Sequence, residues 1–368
     1  MKNSIRDNAI SSNAIFSDIS TINVFSNPDG IICAPVNGFI YVANKCSNSI
    51  SIINVTTDTV VKSFGIGYEP IGLACDSSNR DIFLTSYKSN EVYAVNTTTN
   101  VETAPICVGT GPCEISFDKF NGKLYTTISE TDRVCCIIGS KYSVLYSCKV
   151  GTDPRGIAFD PSNGDMYIAD FGSNQVSVFN VRNFRIVKTI NVSCEPDGVA
   201  YDQSNGLIYV TNLGANNVCI INGTDNDVVG SVILNKEPSA ITYDPSNGYL
   251  YVANSGSNDV SVLNGRNNSV IGCVPVGSDP MGITYDNSNS NIYVSNYESN
   301  DVSVIATSYN VTFKETGLPS GYAWYVNLSN GKHSGPITND SYSLYLTDGV
   351  YSYTISSANK SYEPDSVK

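Results

Sequence analysis

From Pro154 to Glu195 the chain reads PRGIAFDPSNGDMYIADFGSNQVSVFNVRNFRIVKTINVSCE, and the same 42-residue unit recurs on both sides of it. Its first proline returns as Pro28, Pro70, Pro112, Pro154, Pro196, Pro238 and Pro280, each step being 42 residues. Three positions after each proline stands Ile31, Leu73, Ile115, Ile157, Val199, Ile241 or Ile283. Nine after stands Asn37, Asn79, Asn121, Asn163, Asn205, Asn247 or Asn289. Thirteen after stands Tyr41, Phe83, Tyr125, Tyr167, Tyr209, Tyr251 or Tyr293. Twenty after stands Asn48, Asn90, Asp132, Asn174, Asn216, Asn258 or Asn300. Chance does not hold such a register through seven copies.

Within the unit, GIAFD, DMYIAD, QVSVFN and RIVKTINV alternate apolar and β-branched residues, the pattern of four short strands. Ser162-Asn163-Gly164 supplies the positive φ angles of a tight turn between the first two. Arg80 and Ser290 replace that glycine, so those two turns are expected to be looser or longer. No segment has a helical period. A unit of about 40 residues with four strands is one propeller blade. The predicted fold is all-β, a seven-bladed β-propeller followed by a small C-terminal β-sandwich (Ig-like) module. The seventh copy lacks its fourth strand, whereas Ile22 and Val24 occupy before Pro28 the slots that Ile190 and Val192 occupy before Pro196. Residues 16–25 are therefore expected to be the outermost strand of the seventh blade, since a ring left open would expose two sheet edges. The expected organisation is a polar segment over 1–15, the propeller over 16–307 and the small module over 308–368.

Tyr209-Val210-Thr211-Asn212, Tyr41-Val42-Ala43-Asn44 and Tyr251-Val252-Ala253-Asn254 resemble the YVTN-type β-propeller repeat of archaea and bacteria. The Pro-x-Gly-Ile opening, as in Pro154-Arg155-Gly156-Ile157, and the Asn-x-Val-Ser-Val third strand carry the same likeness. The third copy departs from it most, with Glu114 for the glycine and Ile128 for the Asn44-type residue. The resemblance implies a cell-surface or periplasmic propeller without assigned chemistry.

From about Tyr309 the register stops, and NVTFKE, YAWYVNL, SYSLYL and VYSYTI read as strands of a separate module with Trp324 as its core anchor. Glu315-Thr316-Gly317-Leu318-Pro319-Ser320-Gly321 with Trp324 resembles a tandem module of Thermoplasma-type archaeal surface proteins. That family continues beyond the point reached at Lys368, so the module is expected to be truncated and the chain a piece of a longer protein.

Composition narrows the function classes. The chain of 368 residues carries 34 acidic and 21 basic side chains, a net charge of −13, which excludes a nucleic-acid footprint and a polybasic membrane patch. No apolar run is long enough to cross a bilayer, and MKNSIRDNAISSNAIF is too polar for a signal peptide, so the sequence as it stands is expected to be soluble and without an export signal. Eleven cysteines without a Cys-x-x-Cys pair, and one histidine, offer no zinc spacing and are expected to be free thiols, mostly buried as small hydrophobes. His333 lies outside the repeats, which argues against histidine-dependent catalysis in the propeller.

One slot suggests a site. The residue before each blade's proline is Asn27, Glu69, Gly111, Asp153, Glu195, Glu237 or Asp279. Glu69, Asp153, Glu195, Glu237 and Asp279 are expected to ring one mouth of the channel, beside Asn44-type and Asn48-type amides. Such a rim either binds Ca²⁺ or a basic or sugar ligand through its oxygens, or serves only to cap turns and face solvent. A residue repeated in every blade tends to serve the blade, and a true binding site should stand where the copies differ. Asn54, Asn96, Asn191, Asn222 and Asn267 begin Asn-x-Ser/Thr sequons within the propeller. The function expected is non-catalytic: a surface or extracellular propeller that displays, adheres, or binds an unknown protein or glycan at one face. The alternatives are a lactonase- or lyase-class enzyme using channel carboxylates, and an intracellular interaction scaffold.

Overall fold

A computed structural model describes residues 3–5, 8–103, 105–314, 322–347, 352–358 and 362–364. Asp18–Ile305 forms one compact unit, and Met1–Ser17 with Ala306–Lys368 forms another.

The first unit is a ring of seven antiparallel sheets, one per repeat. In the fourth, Pro154–Asp160, Asp165–Asp170, Gln175–Asn180 and Arg185–Asn191 pair in chain order from the inside outward. The second blade departs from the four full strands expected. Its outermost strand shrinks to Ile106–Cys107, because Pro105 has no N–H to give to the ladder. In the seventh blade Asn8–Asn23 lies outermost, against Asp301–Lys314, so this strand already begins within residues 1–15. Ile22 is buried with Val302 and Val304 of the seventh blade and Ile31, Ile40 and Val42 of the first. The regular helices among the described residues are four three-residue 3₁₀ turns, and no helix there is long and apolar enough to cross a membrane.

The apolar cores lie between neighbouring blades. Tyr41, Ile50 and Ile52 of the first blade, for example, pack with Leu73, Ile82 and Leu84 of the second. The buried tyrosine of the second strand also reaches across polar ground in the fourth and fifth blades. Tyr167 donates its hydroxyl to Asn226 Oδ1 at 2.5 Å, and Tyr209 to Asn268 Oδ1 at 2.7 Å, each acceptor belonging to the next blade's outer turn.

The first turn of the blade is built from side-chain caps. Asp160 Oδ1 accepts the Ser162 N–H at 2.8 Å, Asn163 Oδ1 accepts the Asp165 N–H at 2.8 Å, and Gly164 takes φ 81°. Arg80 and Ser290 do not loosen this turn, contrary to the expectation. They adopt the glycine's conformation at φ 62° and 59°, and Ser290 donates to Asp286 O at 2.9 Å as Gly164 does to Asp160 O at 3.0 Å. The left-handed backbone costs a side chain about 1–2 kcal/mol. The retained caps, such as Ser78 N–H and Ser288 N–H on Asp76 and Asp286 Oδ1, both at 2.9 Å, outweigh it.

Blade is joined to blade by one repeated clamp. Asn174, left-handed at φ 55°, accepts the Val192 N–H on its carbonyl at 3.2 Å and the Glu195 N–H on its side chain at 2.8 Å. The Glu195 carbonyl then accepts the Leu213 N–H of the following blade at 2.8 Å. The same side-chain bond recurs as Asn48 to Glu69, Asn90 to Gly111, Asp132 to Asp153, Asn216 to Glu237, Asn258 to Asp279 and Asn300 to Asn27, at 2.8–3.1 Å. Asn300 thus ties the seventh blade to the first as the others are tied, although the outer strand it holds comes from the N-terminal segment and not from its own repeat.

In the second unit, the distal half of Asp301–Lys314 pairs with Ser341–Thr347, and Trp324–Leu328 pairs with Tyr353–Ser357. Phe313, Trp324, Val326, Leu346 and Ile355 form its core, with Trp324 Nε1 donating to Asn339 O at 2.8 Å. The Glu315–Gly321 motif lies outside the described residues.

Replacing Asn174 by Ala removes one clamp acceptor and an Asn suited to the left-handed region. The expected loss is about 1–2 kcal/mol, or about 2–4 °C in Tm by calorimetry. A melting curve identical to the parent's would refute the clamp's role.

Candidate functional site

The Pro-x-Gly opening of the innermost strand determines how narrow the central channel is. A Cβ on Gly30 would stand 1.9 Å from Ile71 O, one on Gly156 2.1 Å from Asp197 O, and one on Gly282 2.3 Å from Asp29 O. Five of the seven innermost strands meet this crowding with a glycine, which has no Cβ to clash. Hydroxyls then stitch them together: Thr127 Oγ1 accepts the Glu114 N–H at 3.0 Å and donates to Arg155 O at 2.7 Å, and Thr211 does the same between Gly198 and Ser239.

The residue just after the proline faces the channel, and it takes six identities in seven blades: Asp29, Ile71, Cys113, Arg155, Asp197, Ser239 and Met281. With Lys45, Glu69, Glu114 and Asp153 these line a cavity of about 510 Å³. Aliphatic side chains, among them Ile31, Leu73, Ile157, Val199, Ile241 and Ile283, form an apolar waist beneath the charges. A second cavity, of about 600 Å³, opens at the other end of the innermost strands and is walled by Phe117, Phe159, Tyr201, Tyr243 and Tyr285.

Both cations of the first cavity are engaged. Lys45 Nζ lies 3.1 Å from Asp29 Oδ2, and Asp29 is 7% exposed. The Arg155 guanidinium lies flat on the Phe171 ring, 3.3 Å from its centroid, with Asp153 Oδ2 at 3.2 Å and Asp197 Oδ1 at 3.5 Å. Removal from bulk water pushes the Asp197 carboxyl up to about 6, against the opposing pull of Arg155. Glu114 has no such cation. Desolvation first, then the charges of Asp29 and Asp197, push it up to about 8, so it is mostly protonated at neutral pH. Desolvation and the neighbouring carboxylates also drive the Cys113 thiol well above its ordinary value, which disfavours the thiolate.

Of the five carboxylates read as a channel rim, Glu69 and Asp153 line the cavity, whereas Glu195, Glu237 and Asp279 do not. All five share a left-handed backbone, φ 48–56°, and give their N–H to the clamp. The glutamate carboxylates fold outward over the following loop: a Cβ on Gly214 would meet Glu195 Oε2, and one on Gly256 would meet Glu237 Oε2, each at 2.7 Å. Nor are the Asn44-type amides a rim. Asn44, Asn212, Asn254 and Asn296 are fully buried, and Asn44, Asn254 and Asn296 each donate to the serine seven residues on. Among the described residues no group of three His, Cys, Asp and Glu side chains converges as a metal site would require. Asn54, Asn96 and Asn222 each accept an N–H from two residues on in local turns, while Asn191 and Asn267 are exposed. All eleven cysteines are free. His333 stands exposed in the second unit, its Nδ1 3.2 Å from Gly331 O.

The sequence reading missed the channel by one residue. It followed the slot where acids repeat, which brings two carboxylates to the cavity, whereas the more varied slot beside it brings Asp29, Arg155 and Asp197. That lack of repetition was the available signal.

A family model described as "Lactonase, 7-bladed beta-propeller" matches residues 139–310, less than half of the chain. The chain is a propeller. Residues 139–310 include Arg155 and Asp197 but neither Asp29 nor Glu114. Among solved structures, hydrazine synthase of Kuenenia stuttgartiensis is similar over 76% of this chain and 95% of that one, with a TM-score of 0.68 and 19% identity. A streptogramin B lyase is similar over 80% of this chain and 98% of that one, with a TM-score of 0.69 and 16% identity. At these identities the likeness speaks to the fold alone. Curated protein sequences contain no match to the chain.

Directly before Phe171 stands Asp170, fully buried in the slot that is Asn in four other blades. Burial pushes its carboxyl up to about 7, although Ser177 Oγ donates to it at 2.6 Å. A raised carboxyl weakens the fold progressively as pH climbs from about 4 to about 7, because the unfolded chain releases its proton first. Asp170→Asn should therefore raise Tm, by more at pH 8 than at pH 5 in a melting series. A gain of equal size at both values would contradict the burial argument.

Proposed function

We propose that the propeller binds a small polar molecule in the first cavity, with the ring of blades as its scaffold. One observation carries this reading: the slot of the innermost strand that varies most among the copies, with six residue types in seven blades, is the one that faces the channel. Residues that hold the blade together repeat, whereas this slot changes among acid, base, thiol, hydroxyl and apolar side chains. The charged wall above an apolar waist has the composition of a ligand pocket, a few oriented polar groups in a sheltered concavity. The sequons at the exposed Asn191 and Asn267, the low charge density and the YVTN-like repeat support display of this binding protein at a cell surface, with the Thermoplasma-like module as its neighbour in the chain.

A second reading, hydrolysis or elimination at the same place, draws support from Glu114 and Asp197. Two carboxyl groups held at about 8 and about 6 provide a proton donor and an acceptor near neutrality, the separation that acid–base catalysis uses. The lactonase-type match over 139–310 and the lyase-like fold favour the same direction.

Met281 lines the cavity without a charged partner, so Met281→Trp plugs it. In a thermal-shift screen of small polar metabolites the parent is expected to gain at least 2 °C with some compounds, by the mass-action rule for ligands that bind the folded state, and the plugged variant none. Equal shifts in both would remove the ligand from the channel. Turnover of a lactone panel by the parent, lost in Met281→Trp and Glu114→Gln alike, would select the enzymatic reading.

A further inference from the structure

Resting on the channel-binding reading, we infer that the ligand carries an organic cation, an alkylammonium or alkylguanidinium group, and that Glu114 receives it by giving up its proton.

The argument starts from what Glu114 displaces. Its slot is Gly30, Gly72, Gly156, Gly198 and Gly282 in five blades and Ala240 in a sixth. It is the most crowded position in the ring, where a Cβ meets a neighbouring backbone oxygen at 1.9–2.5 Å. The third blade accommodates a glutamate there, with Glu114 Oε2 near the Gly72 position of the second blade. Breaking the packing rule at one copy gains the fold nothing, because the half-buried carboxyl forms no ion pair among the described residues. It receives the Ile115 N–H, and its other charged neighbours repel it. Local rules are broken at functional positions.

Charge sets the sign of the ligand. Blade one brings Asp29 and Lys45, blade two Glu69 and Tyr87, blade three Cys113 and Glu114, blade four Asp153 and Arg155, and blade five Asp197. Blades six and seven contribute Ser239, Ala240, Met281 and Gly282, none of which titrates. Five carboxyl groups thus face two cations, and both cations already hold carboxylates. An anion entering here would have to break those pairs. A cation meets a carboxyl group with no cation of its own.

Size and surroundings favour an organic cation over a metal ion. The cavity of about 510 Å³ admits a molecule of many atoms, the waist is aliphatic, and no three ligating side chains converge. In the protonated resting state Glu114 is a neutral acid. An arriving ammonium stabilises its carboxylate, so protonated protein plus cation gives the carboxylate–ammonium pair plus one proton released to solvent. With the carboxyl held near 8 in the empty channel, binding strengthens as pH rises from about 6 to about 8.

The test is calorimetric titration of the full chain with butylammonium, butylguanidinium, putrescine, butyrate, butanol and calcium chloride, each in phosphate and in Tris at pH 7. The cations are expected to bind, with close to one proton released as judged from the two buffers. Glu114→Gln, and Glu114→Gly, which restores the residue of five other blades, should weaken binding by about 10-fold or more and abolish the release. Their melting curves establish that both variants fold. Binding of butyrate, butanol or calcium in preference to the organic cations, or cation binding indifferent to Glu114, would overturn this inference and leave the channel reading standing. Absence of binding by every probe to about 10 mM would overturn the inference, and the thermal-shift screen against Met281→Trp then decides the channel reading separately.

Discussion

The structure depends on a bond between an amide side chain and a backbone N–H at each passage from one blade to the next. The chain must cross there from the outer edge of one sheet to the inner edge of its neighbour, and a left-handed residue on the crossing is held by a left-handed residue in the turn between the second and third strands. Either conformation alone is unfavourable for a residue other than glycine. Asn174 and Glu195 make the pattern plain: the asparagine holds the connecting segment by its carbonyl and its side chain at once, and the glutamate's carbonyl hands the connection on to Leu213. Seven such clamps fix the angular step of the ring. At the seventh the outer strand is Asn8–Asn23 instead of a strand of the same repeat, yet Asn300 grips Val24 and Asn27 as Asn174 grips Val192 and Glu195.

A ring held at its junctions leaves its centre free to vary. The glycines bring the innermost strands close, the threonine hydroxyls stitch them, and the interblade aromatics fill the volume behind. The side chain just after the proline shares these duties in the sixth blade, where Ser239 Oγ donates to Ala253 O at 3.2 Å and to Pro280 O at 2.9 Å, and the slot is not bound to one residue type. That residue can change from aspartate to isoleucine to arginine around the circle without disturbing the blades, so it is where selection for a ligand can act.

Most of this fold was legible in the sequence, since a periodic chain repeats its structural reasons. The proline spacing revealed the blades, and the paired slots of Ile22 and Val24 pointed to the closing strand. What was not legible required knowing distances between strands. The acidic run at Glu69, Asp153, Glu195, Glu237 and Asp279 suggested a rim, yet the repeated feature there is the backbone, and three of the five side chains leave the cavity lining. The turns at Arg80 and Ser290 kept their shape because Asp76 and Asp286 cap them, a compensation that glycine counting does not reveal. Glu114 was visible as a departure from the repeat. Only the convergence of the innermost strands turns that departure into a half-buried acid facing a cavity.

Electrostatics inside the channel then becomes a matter of which charges are already answered. Lys45 is answered by Asp29 and Arg155 by Asp153 and Asp197, while the Phe171 face holds the guanidinium in place. Because both cations are fixed, neither can swing to Glu114 when its proton leaves. A carboxyl in that position stays neutral until a positive charge is brought from outside, since the low-dielectric wall penalises the lone anion and rewards the pair. The same ring that makes Glu114 costly to hold as a carboxylate therefore makes it selective for what could neutralise it.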